Sequence, residues 1–217
     1  MIARALRGWL GRWSRDAQGR RRRGSRGQGY SGQTFWHLDP RADEIHYDDI
    51  CVGLARECRY ANQVREFYSV GEHSVIVSLA AEKLAIERGW PEYEVALVAA
   101  QGLLHDASEA YIGDICRPLK KLHAMRGYRR IEVLWQNAIW ERVGIYPTDA
   151  STALVEEVDR RVCTDEVEAL MMYPEFYQHR QDPRGPLNVE IAGMSWQHAA
   201  AAFSQRFAEV LPEWGES

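Results

Sequence analysis

Three stretches of this sequence carry apolar residues at helical spacing, and in each the apolar stripe is interrupted by an ionisable side chain. The first stripe is Val70, His73, Val77, Ala80 and Leu84. The second is Val95, Val98 and Gly102, continued by His105 and Asp106 and, one turn further, by Glu109. The third is Val158, Val162, Asp165 and Ala169. Residues three or four apart share one helix face, so His73, His105, Asp106 and Asp165 are expected to point into the interior of a helical protein. Each has an ordinary explanation when taken singly. A buried histidine can be a hydrogen-bonded core residue, Asp165 can pair with Arg160 or Arg161, and Asp106 with Lys120 or Lys121. Together they are harder to dismiss, because a buried carboxylate without a counter-charge is costly or loses its charge, and two inward aspartates call for a cation. A set of two imidazoles and two carboxylates suits Mn²⁺, Co²⁺, Fe²⁺ or Zn²⁺, with Mg²⁺ also open, so one divalent metal ion is the expected cofactor.

The punctuation between the stripes predicts helices almost throughout. Asp48-Asp49 can cap a short helix to Cys58. Ser69-Val70-Gly71-Glu72 has the S-x-x-E form of a capping box and starts a helix that runs to Gly89. Pro91 suits a first helical position, with the helix reaching about Tyr111. Leu119 to Val143 reads as one long helix stopped at Gly144. Thr148 or Asp149 caps the next helix, which ends before Tyr173-Pro174, and Ser195 caps a last one ended by Pro212. Residues 28–47 read as an irregular lead-in and 174–194 as a loop. No segment alternates as a strand, and there is no internal repeat.

Charge is distributed unevenly. Residues 1–27 hold nine arginines and a single acid, Asp16, whereas the remainder of the 217 residues has 18 basic and 30 acidic side chains. An acidic body is a poor binder of polymeric nucleic acid. The basic arm, rich in Gly and Ser as well, is expected to be disordered or loosely attached, and it has the Arg-rich, acid-poor look of a transit peptide. The division expected is therefore 1–27 as arm and 28–217 as a single domain. The apolar run from Val95 to Leu104 is interrupted by Gln101 and is too short for a bilayer span, so no membrane partner is expected. Four cysteines without C-x-x-C spacing suggest neither a zinc ribbon nor a disulfide framework, which fits a cytoplasmic setting.

The segment Leu104-His105-Asp106-Ala107-Ser108-Glu109-Ala110-Tyr111-Ile112-Gly113-Asp114-Ile115-Cys116-Arg117-Pro118-Leu119-Lys120 resembles the H-D-x-x-E-x-x-x-G-D-…-P-x-K core of HD-domain nucleotide phosphohydrolases. Arg65 and Tyr68-Ser69-Val70-Gly71-Glu72-His73-Ser74 look like the first-histidine motif of that family, and Thr164-Asp165-Glu166-Val167-Glu168-Ala169 looks like its distal aspartate. The resemblance covers about residues 45 to 175. The most similar subgroups are bacterial 5′-deoxynucleotidases, which release phosphate from deoxynucleoside monophosphates, and phage-type dATP triphosphohydrolases, which release triphosphate. The stretches T-F-W-H-L-D-P, I-H-Y-D-D-I and C-R-Y favour the phage type.

The resemblance implies an all-α HD-domain helical bundle in which His73, His105, Asp106 and Asp165 hold the metal. It further implies Glu109 as general acid/base, Asp114 as a contact to water or sugar, and Arg59 as a phosphate ligand with Lys120 as a second. Tyr60 and Arg65 are carried over as substrate contacts, although Tyr60 stands where the deoxynucleotidases usually have Trp. A small nucleotide is the implied substrate, with no specific nucleic acid as partner, and a homo-oligomer, dimer or higher, is implied by the family alone. Two rivals make different predictions. A metal-binding regulatory module without catalysis would be expected to lack Glu109 or Asp114, and a nucleic-acid-binding protein would use the arginine arm. Among enzymes, a cyclic-dinucleotide or (p)ppGpp hydrolase is a further alternative, which the G-D-…-P-x-K segment disfavours.

Overall fold

Close helix approach governs the body of the protein, and two glycines permit it. A Cβ at Gly102 would stand 3.0 Å from Ser78 Cα, and one at Gly71 would stand 3.0 Å from Ala55 Cα and N. The computed structural model describes residues 13–180 and 182–214. Its helices are α1 (Tyr47–Arg56), α2 (Val70–Glu87), α3 (Glu92–Leu104), the single turns α4 (Glu109–Ile112) and α5 (Arg117–Lys120), α6 (Arg126–Val143), α7 (Asp149–Leu170) and α8 (Trp196–Val210). The expected all-α HD bundle is present. Among the described residues no helix is long and apolar enough to cross a membrane, and all four cysteines are free.

Two apolar clusters share the helices. One gathers Ile50 and Leu54 of α1, Leu103 and Leu104 of α3, Trp135 and Ile139 of α6, and Phe203 and Phe207 of α8; within it Tyr111 stacks on Trp135 at 4.2 Å between ring centroids. The other joins Val77, Ala81 and Ala85 of α2 to Val98 of α3 and to Leu154, Val155, Val158 and Val162 of α7. Because α2 and α3 serve both clusters, the N-terminal turn of α2, the C-terminal end of α3 and the middle of α7 are held close together.

Helix ends follow the capping chemistry with informative exceptions. Thr148 and Ser151 form a reciprocal capping box on α7, and Ser195 caps α8. At α2 only half of the expected box forms. Ser69 accepts from Glu72 N at 3.1 Å, but the Glu72 carboxylate turns away to accept from the backbone N–H groups of Ala192, Gly193 and Met194 at 2.7 to 3.0 Å. The predicted helix from Pro91 to Tyr111 stops at Leu104 and resumes as α4, and the predicted Leu119–Val143 helix is divided by a 3₁₀ turn at His123–Met125. The first of these interruptions places His105 and Asp106 at the end of α3, in the polar cluster described below.

The basic N-terminal segment departs most from expectation. Residues 1–12 lie outside the described residues, but 13–27 are not an unstructured arm. β1 (Trp13–Arg15) pairs antiparallel with β2 (Arg21–Arg23), Trp13 opposite Arg23, and β3 (Arg26–Gln28) pairs with β4 (Thr34–Trp36), Arg26 opposite Trp36. Arg22 is fully buried. Its guanidinium lies 4.0 Å from the Trp36 ring centroid and bonds to Glu44, to Asp39 Oδ2 at 2.8 Å and to Asp39 O at 2.6 Å. Alternation failed as a strand signal because three-residue strands of arginine bury single side chains through ion pairs rather than an apolar face.

Candidate metal centre

His73 stands in the first turn of α2, with its side chain completely buried. His105 and Asp106 follow directly on the last turn of α3. His73 Nε2 lies 3.3 Å from His105 Nε2 and 3.8 Å from Asp106 Oδ2, and His105 Nε2 is 3.2 Å from Asp106 Oδ2. Three of the four expected ligands are thus brought together.

The fourth is not. Asp165 is buried, as its place on the valine stripe required, but its carboxylate faces residues 187–188 and accepts from Leu187 N and Asn188 N, each at 2.9 Å. The carboxylate that meets His73 comes from Asp159, whose Oδ1 lies 3.3 Å from His73 Nε2. Asp159, Cys163 and Glu166 form their own i, i+4, i+7 line on α7, about 100° around the axis from the Val158, Val162, Asp165 line. That parallel polar line was the signal available in the sequence. It was passed over because it contains no valines to mark it as inward.

The tautomers decide what the cluster can hold. His73 Nδ1 faces Glu166 Oε1 at 2.6 Å, and His105 Nδ1 faces the Gly102 carbonyl at 2.8 Å. Both partners can only accept, so in its neutral form each ring carries its proton on Nδ1 and presents an Nε2 lone pair, His105 toward Asp106 and His73 toward Asp106 and Asp159. The Nε2 atoms of His73 and His105 and a carboxylate oxygen of Asp106 lie close enough together to share one cation, and Asp159 adds a carboxylate oxygen beside His73. The electrostatics agree. Burial lowers the His105 pKa, but the charges of Asp106 and Asp159 outweigh it and carry it up to about 9. Burial raises Asp106 and Asp159, yet the two histidines and Arg59 hold both well below the usual carboxylate range. Positive charge is demanded there, and a divalent ion with mixed N and O ligands fits the donor set.

The remaining candidates divide. Arg59 reaches Asp106 Oδ2 at 3.4 Å and Glu166 Oε2 at 3.2 Å, and its Nε is buried without a partner. The Tyr60 hydroxyl donates to Glu166 in a short contact. Tyr60, Ala61 and Asn62 all have positive φ, 56°, 51° and 59°. Glu109 is buried; its Oε1 accepts from Lys120 Nζ at 2.6 Å while Oε2 has no partner. Its pKa is raised by burial and by the charges of Asp106 and Asp114, with Lys120 opposing. Lys120, expected as a free phosphate ligand, is occupied by Glu109 and by Glu132 at 2.8 Å. Asp114 lies 3.9 Å from Lys120 and is anchored by its own N–H to Glu57 Oε1 at 3.0 Å. Arg65 is placed elsewhere. It is exposed and donates to Ala169 O at the end of α7, tying down the loop before α2. Sequence reasoning also missed Arg117, which donates to Asp159 Oδ2 at 3.0 Å and is half exposed at the rim.

A cavity of about 250 Å³ opens beside the cluster, with His105 and Asp159 in its wall together with Gln101, Trp140, Thr152 and Val155. Gln101 is buried and its Oε1 has no partner. A larger cavity of about 1060 Å³ among the N-terminal hairpins contains none of the clustered residues.

No protein-family profile matches the chain. It is 35% identical over 119 residues to the uncharacterized protein YfdR of Escherichia coli and 32% identical over 119 residues to an uncharacterized protein of Rhodobacter capsulatus. These alignments take in 54% and 53% of the chain and span 58% and 56% of the length of the two relatives. Among solved structures it is similar to the cyanophage S-2L HD phosphohydrolase DatZ, determined bound to dA and one catalytic Zn²⁺ ion. The match has a TM-score of 0.53 at 16% identity and covers 78% of this chain and 98% of that one. The chain therefore has the fold of the HD phosphohydrolases.

Proposed function

We propose that the protein is a metal-dependent phosphohydrolase that cleaves the 5′ phosphoester of a deoxynucleotide. The observation that carries the reading is the convergence of His73, His105 and Asp106, with Asp159 beside His73 and the Nε2 atoms of both rings turned inward. The description of DatZ, with its nucleoside and zinc, supports the same class of substrate and cofactor.

A divalent ion, which His73, His105, Asp106 and Asp159 would hold, would supply Lewis acidity toward the phosphoester and a lowered pKa for water. The chain's own residues then perform the proton transfers. Glu109 has one oxygen fixed by Lys120 and the other unpartnered, so Oε2 takes the proton of the attacking water and later returns one to the leaving 5′ oxygen. Burial holds that carboxyl above its usual range, nearer the pH at which such exchange is efficient. Arg59, with its free Nε, and Arg117 at the rim meet negative charge on the phosphoryl oxygens. The cavity lined by Trp140 and Gln101 takes sugar and base, with apolar surface from Trp140 and Val155 and polar groups from Gln101 and Thr152. The products are a deoxynucleoside with phosphate or, for a longer tail, with triphosphate.

The nucleic-acid alternative loses support from the N-terminal hairpins, because Arg20 pairs with Asp16 and Asp43 while Arg22 is buried against Glu44. A homo-oligomeric, cytoplasmic enzyme completes the proposal, and sedimentation velocity would read the subunit number. The functional test is a panel of mono-, di- and triphosphates of each base, deoxy and ribo, incubated with Mn²⁺- or Co²⁺-loaded protein and scored for nucleoside, phosphate and triphosphate. Asp106→Ala should abolish release. Equal behaviour of chelated and metal-loaded protein on every substrate would overturn the reading.

A further inference from the structure

Glu166 is fully buried on α7 and lies at the centre of more hydrogen bonds than any other carboxylate near the cluster. Its Oε1 faces His73 Nδ1 at 2.6 Å and accepts from the Tyr68 hydroxyl at 2.9 Å. Its Oε2 accepts from Arg59 Nη2 at 3.2 Å and from the Tyr60 hydroxyl. Both oxygens are thereby occupied, so Glu166 is not itself a ligand. It holds instead two groups that face the centre, the imidazole of His73 and the guanidinium of Arg59. The backbone is bent to achieve this: three consecutive residues without glycine, Tyr60 to Asn62, adopt left-handed φ, and the phenol at the head of that turn ends on Glu166.

We propose that Glu166 is the positioning residue of this centre, fixing the proton of His73 on Nδ1 so that Nε2 is a permanent lone pair toward the ion, and holding Arg59 beside Asp106. The inference rests on the metal centre proposed above and adds a residue that works through its ligands. A carboxylate behind a ligating histidine orients the ring and raises its basicity, and loss of such a partner weakens metal binding by about 10- to 100-fold. Glu166 is such a carboxylate, with the Arg59 guanidinium as its counter-charge at 3.2 Å. Tyr68 and Tyr60 complete its coordination, which leaves no free lone pair in the low-dielectric interior to attract a competing cation.

The test uses the full chain, with Zn²⁺ as probe. Long-range ¹H–¹⁵N spectra of the metal-free protein should place the His73 proton on Nδ1; a proton on Nε2 would overturn the proposal without any variant being needed. Glu166→Gln, which keeps size and loses charge, should bind Zn²⁺ about 10- to 100-fold more weakly in competition with a chromophoric chelator and show a mixed His73 tautomer. Tyr60→Phe removes one hydroxyl and leaves the His73 contact, so its affinity should stay within about threefold of wild type. A folded Glu166→Gln protein with wild-type affinity, or a Tyr60→Phe loss as large as that of Glu166→Gln, refutes the assignment. Both readouts are made without a nucleotide. A wild-type protein that binds Zn²⁺, shows the Nδ1 tautomer and hydrolyses nothing would therefore sink the phosphohydrolase reading while leaving this one intact.

Discussion

Exchanging the charge of Asp159 and of Asp165 in turn separates a ligand from a structural clamp. Asp159→Asn keeps the side chain in its place 3.3 Å from His73 but removes one of two anionic donors from the cluster. A first ligand should cost at least the upper end of what an outer partner costs, so the dissociation constant for Zn²⁺ should rise by about 100-fold or more. At about 1.4 kcal/mol per tenfold that is about 2.8 kcal/mol. Folding of the metal-free variant should change little, because the weakened ion pair with Arg117 is offset by relief of repulsion between Asp159 and Asp106. Asp165→Asn should do the reverse. Its two oxygens accept from Leu187 N and Asn188 N at 2.9 Å, and an amide would turn a donor toward one of those N–H groups. Losing one charge-assisted bond and stranding a donor costs about 2–3 kcal/mol. For a chain of this size that is a fall in Tm of about 4–12 °C, with Zn²⁺ affinity preserved. Isothermal titration calorimetry and thermal denaturation of the two variants read both quantities. If Asp165→Asn loses metal as Asp159→Asn was expected to, the assignment of the fourth ligand is wrong and the sequence motif was the better guide.

Glu109→Gln should lower turnover by about 10²- to 10⁴-fold, as loss of a general acid/base does, with metal affinity within about threefold of wild type; stopped-time product assays and chelator competition measure the two. Arg22→Met strands the buried carboxylate of Glu44 and should destabilise by about 3 kcal/mol, which urea denaturation would report; an unchanged midpoint would mean that the N-terminal hairpins do not pack on the body. Gln101→Leu removes the polar atom that stands unpartnered in the small cavity, and KM for the preferred nucleotide should rise by about tenfold while kcat holds, the signature of a lost binding contact worth about one hydrogen bond. A fall in kcat with unchanged KM would place the base elsewhere.

Helical spacing and caps were enough to specify an all-helical body, the caps at Thr148 and Ser195, and the inward aim of His73, His105 and Asp106, because these depend on local geometry that a single helix already contains. The identity of the fourth carboxylate depends on what packs opposite α7. Asp159 and Asp165 are six residues apart, about 240° around the axis, and both are polar groups with reason to be buried. Only the packing of α2 and α3, whose close approach Gly102 allows, against α7 turns Asp159 toward the histidines, while residues 187–188 cover Asp165. Glu72 was legible as half of a capping box until the segment at 192–194 claimed its carboxylate, and Lys120 as a free cation until Glu109 and Glu132 closed on it. Burial of Arg22 could not be read at all, since its three partners are acids brought in from 16, 39 and 44. What the amino-acid order decides alone is which residues share a helix face; which face meets which charge is decided by the packing of elements distant in the chain, where the energy of each ionisable group is set.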